Sequence, residues 1–461
     1  MNKINKINNI NKINTIYDNF MKPLFDNIRG SINYINKKNF IKKTKLDFNK
    51  LIFILVYSIG NKQSIGTAVS DNEIDKITLF DKSTISKRCK LLPINNFKLL
   101  NESIINSIID ANSISFVAVD LTVLHFNSYV SDFLPLCKNN QAYAGYVSTL
   151  YDVDSHTVLD YYVHDHANER EALLFQLQQY KLKKNSILIF DRGYFSDDIF
   201  NIFLKCKINF IFRLKKDCQM VIELNKSEKY DMICYNNGKP ARIIKYKIEN
   251  NDYYLATNLN DTFDIDFFKN TYHKRWAIET HFKYAKYVMS LENIQSKTYL
   301  ATIQNIQMHQ FVNNISTIIQ FHLNKLLLTN NPDYIYKINL TAITSTVAKK
   351  LIKIILFEKN EKVAKLDVCD ILVILLKKIV ISKKGRKNDR RRKKPLPKFV
   401  HGINEKLNNK KLLDEITKKI RLKQRSKELI IITARLGIKI IKKYNKNNNE
   451  AVHNLFHEAI K

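Results

Sequence analysis

The sequence is poor in the residues that interrupt regular structure. It holds 9 glycines and 7 prolines among 461 residues, which excludes a collagen-like chain and a Gly/Pro-rich low-complexity chain. Its 6 cysteines form no C-x-x-C pair and show no zinc-ligand spacing with histidine. A disulfide scaffold and a zinc finger are therefore excluded, and a reducing compartment is expected.

The sequence also lacks an apolar run long enough to cross a bilayer. Its most apolar stretch, residues 367–381, is broken by Asp370, Lys377 and Lys378, and falls short of the roughly 18 residues that a membrane span needs. No basic-then-apolar leader opens the chain. We therefore expect a soluble intracellular protein with no membrane partner, in the cytoplasm at the nucleoid if the host is bacterial.

Acidic residues are few. Asp and Glu number 43 against 76 Lys and Arg, which gives a formal net charge of +33. Part of this excess can reflect the Lys, Asn and Ile usage of an AT-rich gene. The remainder favours a polyanionic partner, nucleic acid before a membrane surface.

The first half of the chain changes character twice. Residues 1–41 open with isoleucines at a spacing of three, which drifts around a helix. They are expected to be a low-complexity, disordered tail, with a fraying helix as the alternative for the first sixteen residues. Residues 42–112 show short helical patterns with basic faces and are interpreted as a helical DNA-binding domain, with an ordinary helical subdomain as the alternative. From residue 113 the spacing becomes that of strands.

The remaining boundaries follow the same patterns. Residues 113–300 are predicted to form an α/β core, with a β insertion at about 207–260 that includes the run CQMVIEL as a strand. Residues 301–382 are predicted to be a helical part of that core. Residues 383–400 are predicted to be a basic linker. Their basic cluster at 390–394 is interpreted as a DNA-backbone or localisation patch, with a solvated loop as the alternative. Residues 401–461 resume the amphipathic pattern of a helical extension.

Two aspartates directly follow short apolar strands. Asp120 follows SFVAV, and Asp191 follows SILIF. Carboxylates at the ends of neighbouring strands converge at one edge of a sheet, where Mg²⁺ is held by one or two carboxylates and the phosphates of a substrate. Aspartates at strand ends more often stabilise turns, so neither residue alone identifies a site.

A charged stripe marks residues 271–288. As a helix, Tyr272, Arg275, Glu279 and Lys286 fall at about 0°, 300°, 340° and 320°, within a stripe about 60° wide. A solvated helix face also carries charges at such spacings, and this reading stays open for the charges alone. The tyrosine and the arginine on the same stripe favour a binding face.

The spacing of these four residues resembles the Y-R-E-K signature of DDE transposases of the insertion-sequence-four type. The segments VDLTV around Asp120 and FDRGYFS around Asp191 resemble those that carry the two catalytic aspartates of the family. The sequence departs from the pattern at Leu121, where the family more often has Gly, Ser or Ala. The resemblance covers residues 120–286 and fades before residue 383 and in the first forty residues.

This resemblance implies an RNase H-like mixed sheet. Asp120, Asp191 and Glu279 are then the catalytic residues and the ligands of two divalent ions, Mg²⁺ with Mn²⁺ as a substitute. Two ions clamp the attacking and leaving oxygens of a displacement at phosphorus, first with water and then with a DNA 3′-hydroxyl as the nucleophile. Double-stranded DNA, as element ends and as target, and a homodimer on paired ends are implied as partners.

The resemblance also assigns DNA contacts. Tyr272, Arg275 and Lys286 are expected to hold the phosphates of the element end. Trp276, the single tryptophan, is expected either to stack on a flipped base, as in relatives that form hairpins, or to pack in the core. Further candidate DNA contacts are Arg192, Arg213 and Lys215, the last two with an exposed strand face as the alternative.

Two other segments carry titratable side chains. His164, Asp165 and His166 could contribute to a metal site, but a solvated strand end is the preferred reading. Glu169, Arg170 and Glu171 are expected to begin a helix near the active face.

Three alternatives to a transposase remain at this stage. A nuclease of the same fold would cut DNA without joining it, and a decayed or domesticated element would bind DNA without chemistry. An RNA-binding protein is disfavoured, because no aromatic RNP-like strand and no glycine-rich clamp are present.

Overall fold

A computed structural model describes residues 11–39, 46–70, 80–108, 113–126, 143–292, 294, 298–327 and 331–383. These residues divide into two compact units, and the smaller one contributes residues 197–208 to the described part. The basic cluster at 390–394, the rest of the predicted linker after Lys383, and the predicted extension 401–461 lie outside the described residues.

The larger unit is built on an eight-stranded mixed sheet within the described residues, with the strand order β3-β2-β1-β4-β5-β8-β7-β6. The strands are β1 Ser115–Phe126, β2 Tyr143–Asp152, β3 Thr157–His164, β4 Ser186–Phe190, β5 Asn209–Arg213, β6 Asp231–Asn236, β7 Lys239–Ile248 and β8 Asn251–Thr257. The first three are antiparallel neighbours, whereas β1, β4 and β5 are parallel. The predicted mixed α/β fold is confirmed, and the strand order is consistent with an RNase H-like core.

The central strands are short and apolar because both of their faces are covered. All five residues of β4, SILIF, are buried, as expected of a strand in the parallel part of a sheet. The register pairs Val119 of β1 with Phe190 of β4. The residues that follow these two in sequence are Asp120 and Asp191, so this register fixes the position of both aspartates.

The predicted β insertion extends the same sheet instead of forming a separate one. β8 pairs with β5, and β6 and β7 continue outward from β8. The β6–β7 hairpin turns at Asn237 and Gly238, which both have positive φ, as a two-residue hairpin loop requires. The run CQMVIEL, predicted as a strand, instead begins helix α8, Gln219–Lys226. Its buried residues Met220, Val221 and Leu224 follow helical spacing.

Helices cover the two faces of the sheet. They are α6 Glu169–Gln179, α8, α9 Ile265–Lys274, α10 Trp276–Lys283 with a π-helical turn at Tyr284–Val288, and α11 Tyr299–Asn324. Ile278 and Ala285 pack in one cluster with Ala118 and Leu124 of β1. Ala118, Asp120 and Leu124 share one face of β1, because side chains alternate along a strand. Helix α10 therefore packs on the face of β1 that carries Asp120.

The other described helices of this unit form a second layer with its own core. They are α1 Lys22–Asn39, preceded by a π-helical turn at Tyr17–Met21, α2 Phe48–Gly60, α3 Ile65–Val69, α4 Lys82–Leu91, α5 Ile94–Asn106, α12 Leu340–Thr346 with a π-helical turn at Val347–Leu351, α13 Ile352–Phe357 and α14 Glu361–Leu376. Their buried residues, from Ile13 to Leu375, belong to one apolar cluster that also includes Phe311 of α11. The segments 42–112 and 301–382 were predicted as separate regions, but the structure joins them in this core.

Helix α2 and the turn at Val347–Leu351 approach each other closely at Gly60. A Cβ atom at Gly60 would lie 2.2 Å from the Cβ of Ala348. No side chain larger than hydrogen fits there without moving backbone, so glycine at position 60 and alanine at position 348 allow the two helices to touch.

The structure corrects the prediction of a disordered tail for residues 11–39, and the rest of the predicted tail lies outside the described residues. Residues 11–39 are helical, and Leu24, Phe25, Ile28, Ile32 and Ile35 form the buried face of α1. Their spacing follows the period of 3.6 residues, unlike that of the first isoleucines.

Two strand predictions also change. The strand SFVAV was predicted to end before Asp120, but β1 continues to Phe126, so Asp120 lies within a strand and not at its end. The segment 301–382 was predicted to be helical, yet it contains β9 Tyr334–Ile338, which pairs with β10 Ile379–Lys383. The pairing joins segments about forty residues apart, and local spacing gives no sign of such a contact.

The described part of the smaller unit is one helix, α7 Asp197–Cys206. Asp197 and Asp198 lie in its first turn, where carboxylates interact favourably with the helix dipole. Among the described helices of both units, none combines the length and the apolarity needed to cross a membrane.

Candidate active site

Asp120, within β1, and Asp191, directly after β4, occupy corresponding positions on two adjacent parallel segments. β4 pairs with β1 only as far as Val119 and Phe190, so both aspartates directly follow the last paired residues. Asp120 accepts a hydrogen bond from the backbone N–H of Leu121 at 2.8 Å. The sequence prediction that these two carboxylates converge is consistent with this register.

Helix α10 brings Glu279 to the same edge through Arg275. The Arg275 guanidinium donates from Nη2 to Glu279 Oε1 at 2.8 Å, and its Nη1 lies 3.7 Å from Asp120 Oδ2. The Arg275 side chain is 3% exposed. Burial alone would lower the pKa of Arg275, but Tyr272 and the surrounding carboxylates raise it. One buried cation thus links two of the three predicted catalytic carboxylates.

Asp191 has a separate set of partners. The Tyr272 hydroxyl donates to Asp191 Oδ1 at 3.4 Å, and Arg213 Nη1 lies 3.9 Å from the same oxygen. The Arg213 guanidinium also lies over the ring of Tyr253, 4.5 Å from its centroid. Burial raises the pKa of Tyr272 to about 12, so its hydroxyl keeps its proton and donates to Asp191 at neutral pH.

Lys286 points toward β1 from the π-helical turn after α10. Its Nζ donates to the carbonyl oxygen of Val123 at 2.6 Å and lies 4.0 Å from Glu292 Oε1. The predicted stripe of Tyr272, Arg275, Glu279 and Lys286 therefore faces the sheet. The helix is interrupted at Arg275, between α9 and α10, and widens at Tyr284–Val288, whereas the sequence predicted one regular helix.

The electrostatic environment of Asp120 is unfavourable to its charge. The pKa of Asp120 is raised to about 6: burial is the main cause, Glu169 and Glu279 add to it, and the Leu121 N–H and Arg275 oppose it. A buried carboxylate among other carboxylates is a strong binding group for a cation, because a cation relieves both the repulsion and the loss of hydration.

A fourth carboxylate, Glu169, belongs to this environment. Burial raises the pKa of Glu169, and the charge of Asp191 raises it further. A Cβ atom at Gly193 would lie 2.8 Å from Glu169 Oε2, so the carboxylate lies directly against the turn that follows Asp191. The sequence placed Glu169 near the active face only as the start of α6, and nothing in its spacing indicated contact with this turn.

The turn after Asp191 is held by the neighbouring residue of α6. Arg170 donates from Nε to the carbonyl of Gly193 at 3.0 Å and from Nη2 to the carbonyl of Phe195 at 2.7 Å. Tyr194 is fully buried in the same turn, and among the described residues its hydroxyl has no hydrogen-bond partner. Burial raises the pKa of Tyr194 well above its usual value, and Asp120 and Glu169 raise it further.

The donor chemistry of this edge suits a hard divalent cation. Carboxylate oxygens are the ligands that Mg²⁺ prefers, and the buried Tyr194 hydroxyl is a polar atom left without a partner. Within the described part of the chain, no three acidic, histidine or cysteine side chains converge closely enough to hold an ion. The Arg275 guanidinium instead contacts both Asp120 and Glu279, so these two carboxylates would bind a metal ion only after Arg275 has moved.

The other residues predicted as DNA contacts or metal ligands differ in how exposed they are. Trp276 is 51% exposed, which excludes a core position, and the Arg275 guanidinium lies 5.4 Å from its ring centroid. Arg192 and Lys215 are exposed. The strand end at His164 was predicted to be solvated, but His164 is buried, with Nδ1 3.8 Å from Asp165 Oδ1, and His166 Nδ1 lies 2.8 Å from the same oxygen.

The helical cluster contains a basic cavity of about 220 Å³. Lys62, Lys82 and Lys90 contribute to its lining, together with Gln304 of α11. None of the four carboxylates lines it. On α4, Ile85 and Cys89 are buried, whereas Lys82, Lys87 and Lys90 are exposed, so the outer face of this helix is cationic.

Comparison with known proteins gives one family match. Residues 111–315 match the family model described as a transposase DDE domain, which supports a transposase. The structure of the piggyBac transposase synaptic complex with hairpin DNA aligns with 76% of this chain and 84% of its own chain, at 10% identity and a TM-score of 0.43. No curated protein matches the sequence. The matched segment contains Asp120, Glu169, Asp191 and Glu279, so all four carboxylates lie within the part of the chain that is similar to a transposase DDE domain.

Proposed function

We propose that this protein is a DNA transposase that cleaves DNA at the ends of its element and joins those ends to target DNA. The observation that carries the proposal is the register of β1 and β4, which sets Asp120 beside Asp191 at the edge that Glu279 reaches through Arg275. The family match over residues 111–315 supports the same function.

Asp120, Asp191 and Glu279 are the residues proposed to hold two divalent ions, Mg²⁺ with Mn²⁺ as a substitute. When bound, such ions polarise the scissile phosphate and lower the pKa of a bound water. The raised pKa of Asp120, about 6, leaves this carboxylate mostly ionised at pH 7 to 8 and available as a ligand.

The proposed chemistry exchanges one P–O bond for another in each of two steps, a hydrolysis and a transesterification. In the first step the oxygen of water forms a bond to phosphorus, and the bond to the 3′-oxygen of the element end breaks, which leaves a 3′-hydroxyl. In the second step that hydroxyl forms a bond to a target phosphorus and displaces a 3′-oxygen of the target strand. Each step forms one P–O bond and breaks one, so no nucleotide cofactor is needed.

The cationic and aromatic side chains around the carboxylates fit the role of phosphate and base contacts. Arg275 has a planar fork that pairs with two phosphate oxygens at once, and it can exchange Glu279 for a DNA phosphate. Arg213 and Tyr272 adjoin Asp191, and Lys286 adjoins β1. The exposed ring of Trp276 is available for stacking on an unpaired base, worth about 1–3 kcal/mol.

DNA binding is also proposed for the helical cluster. The exposed lysines of α4 and the basic cavity beside it present positive charge, which complements the phosphate backbone and gives affinity without sequence readout. Cleavage at two ends of one element requires two active sites, and a homodimer on paired ends supplies them.

The direct test is cleavage and strand transfer on a DNA fragment that carries the repeats flanking its own gene, with Mg²⁺ or Mn²⁺. The native protein is compared with Glu279→Gln and with Asp266→Asn, which alters an exposed carboxylate on α9. We expect cutting and joining in the native protein and in Asp266→Asn, and neither reaction in Glu279→Gln despite normal DNA binding.

Two results would contradict the proposal. Cutting without joining would indicate a nuclease of the same fold. DNA binding without either reaction in the native protein would indicate a decayed or domesticated element.

A further inference from the structure

We infer that Glu169 is a fourth carboxylate ligand of the metal centre, supplied by the first residue of α6. This inference rests on the proposed function, because it concerns the same metal centre. It adds a residue that neither the Y-R-E-K stripe nor the two strand aspartates include.

The first observation is the position of the Glu169 carboxylate. It lies so close to the turn after Asp191 that a Cβ atom at Gly193 would be 2.8 Å from Oε2. The absence of a side chain at Gly193 therefore leaves room for the carboxylate. Arg170 fixes the same turn by two hydrogen bonds to its carbonyl oxygens, so α6 and the segment that carries Asp191 are held together.

The second observation is the lack of a partner. Among the described residues, Glu169 forms no hydrogen bond and no ion pair, although Asp120, Asp191 and Glu279 each have a cationic partner in Arg275 or Arg213. Arg170 is a cation near Glu169, but its guanidinium is hydrogen-bonded to the carbonyl oxygens of Gly193 and Phe195. Burial and the charge of Asp191 outweigh its effect, so the partly buried carboxylate of Glu169 remains costly. A divalent ion shared with Asp120 or Asp191 would remove that cost.

The third observation is the buried hydroxyl of Tyr194. The side chain is fully buried, its hydroxyl has no hydrogen-bond partner among the described residues, and the charges of Asp120, Glu169 and Asp191 all act on it. A buried hydroxyl normally has a partner. A ligated carboxylate or a water bound to the ion would provide one at this point.

The test is Mn²⁺ binding, measured by isothermal titration calorimetry and by electron paramagnetic resonance without DNA. The proteins are the native chain, Asp120→Asn, Glu169→Gln, Glu171→Gln and Gly193→Ala. Glu171→Gln is the matched control, since it removes the same charge from the same first turn of α6. Gly193→Ala keeps the carboxylate but displaces it, so it separates loss of position from loss of charge.

We expect Glu169→Gln and Gly193→Ala to raise the dissociation constant of Mn²⁺ by about 10-fold or more. Replacing even an outer partner of a metal ligand typically lowers metal affinity by about 10-fold to 100-fold. Glu171→Gln should bind like the native protein. Each variant is first compared in EDTA by thermal unfolding, and only variants that unfold cooperatively are interpreted.

The inference is overturned if Glu169→Gln and Gly193→Ala bind Mn²⁺ like the native protein while Asp120→Asn does not. It is also overturned if Glu171→Gln weakens binding equally, since the effect is then one of net charge. End cleavage assayed in parallel distinguishes failure of this inference from failure of the proposed function. If Glu169→Gln binds Mn²⁺ like the native protein and still cleaves DNA, only the role of Glu169 is rejected. Absence of both Mn²⁺ binding and cleavage in the native protein rejects the proposed function as well.

Discussion

The guanidinium of Arg275 lies between two carboxylates that come from different parts of the chain, 2.8 Å from Glu279 Oε1 and 3.7 Å from Asp120 Oδ2. Glu279 is one helical turn away, whereas Asp120 lies on β1. In this arrangement Arg275 offsets part of the negative charge at the sheet edge and keeps Glu279 oriented toward it.

Removal of this guanidinium should lower cleavage without lowering the affinity for the metal ion. Arg275→Ala leaves Asp120 and Glu279 without a cation, so Mn²⁺ should bind as tightly as in the native protein or more tightly. Cleavage should fall by about 100-fold or more, because the bidentate phosphate contact is lost. Arg275→Lys restores the charge but not the fork and should recover little activity. Equal cleavage by Arg275→Lys and the native protein would contradict a bidentate role.

Asp120→Asn should stabilise the metal-free protein while it abolishes catalysis. The pKa of Asp120, about 6 in the fold, lies above its ordinary value of 3.8, so the folded state binds the extra proton between these values. Stability is therefore lost as the pH rises through 6, and the variant avoids that loss. We expect a gain of about 2 kcal/mol at pH 7.5 and none at pH 3.5. Urea unfolding in EDTA at the two pH values measures it.

Acid should destabilise the protein through buried neutral histidines. Burial lowers the pKa of His281 to about 3 and that of His309 to about 4. The unfolded chain binds a proton at about pH 6.5 and the folded chain does not, so stability falls as the pH drops below that value. Each histidine should cost about 1 kcal/mol between pH 7 and 5.5.

His281 provides the variant for this prediction. Its Nε2 lies 2.5 Å from the Tyr161 hydroxyl, and its ring stacks on Tyr151. His281→Phe keeps the stacking, loses the hydrogen bond, and should have a shallower pH dependence despite lower stability at pH 7. The exposed His273 offers the control His273→Phe, for which the slope should not change. Parallel curves for His281→Phe and the native protein would contradict the prediction.

The cationic face of α4 should set the salt dependence of DNA binding. Each lysine that neutralises a phosphate adds about 0.9 to the slope of log K against log salt. Replacement of Lys82, Lys87 and Lys90 by glutamine should therefore reduce the slope by about 2 to 3. Replacement of the exposed Lys349, Lys350 and Lys353 serves as the control. An equal change in both triple variants, measured by fluorescence anisotropy, would indicate a diffuse field and not a specific face.

Two helical glycines should respond in opposite ways to replacement by alanine, because Gly60 of α2 packs against the turn at Val347–Leu351 and Gly30 of α1 does not. Gly60→Ala places a methyl group 2.2 Å from the Cβ of Ala348 and should destabilise the protein by about 1–3 kcal/mol. Gly30 lies in the exposed part of α1 with nothing within 4 Å of a Cβ atom. Gly30→Ala should instead stabilise the protein by about 0.5–1 kcal/mol, from helix propensity alone. Thermal or urea unfolding compares the two variants.

The sequence predicted the part of the site that depends on local pattern. The apolar segments that precede Asp120 and Asp191, and the helical spacing from Tyr272 to Lys286, are visible in single segments. Glu169 was not predicted as part of the site, because its position depends on a turn more than twenty residues away. The strand prediction for CQMVIEL failed for another reason: a short apolar run fits a strand and a helix equally well, and only packing decides between them.

The shared core of the helical cluster bears on how the chain reaches its fold during synthesis. Buried residues near the N-terminus, such as Ile13 and Leu24, pack in one cluster with Leu372 and Leu375. The first helices emerge from the ribosome long before their partners exist, and their apolar faces stay uncovered until most of the sheet has been made. Truncation at either end therefore exposes the same core, and a fragment that stops after the matched domain should aggregate rather than fold.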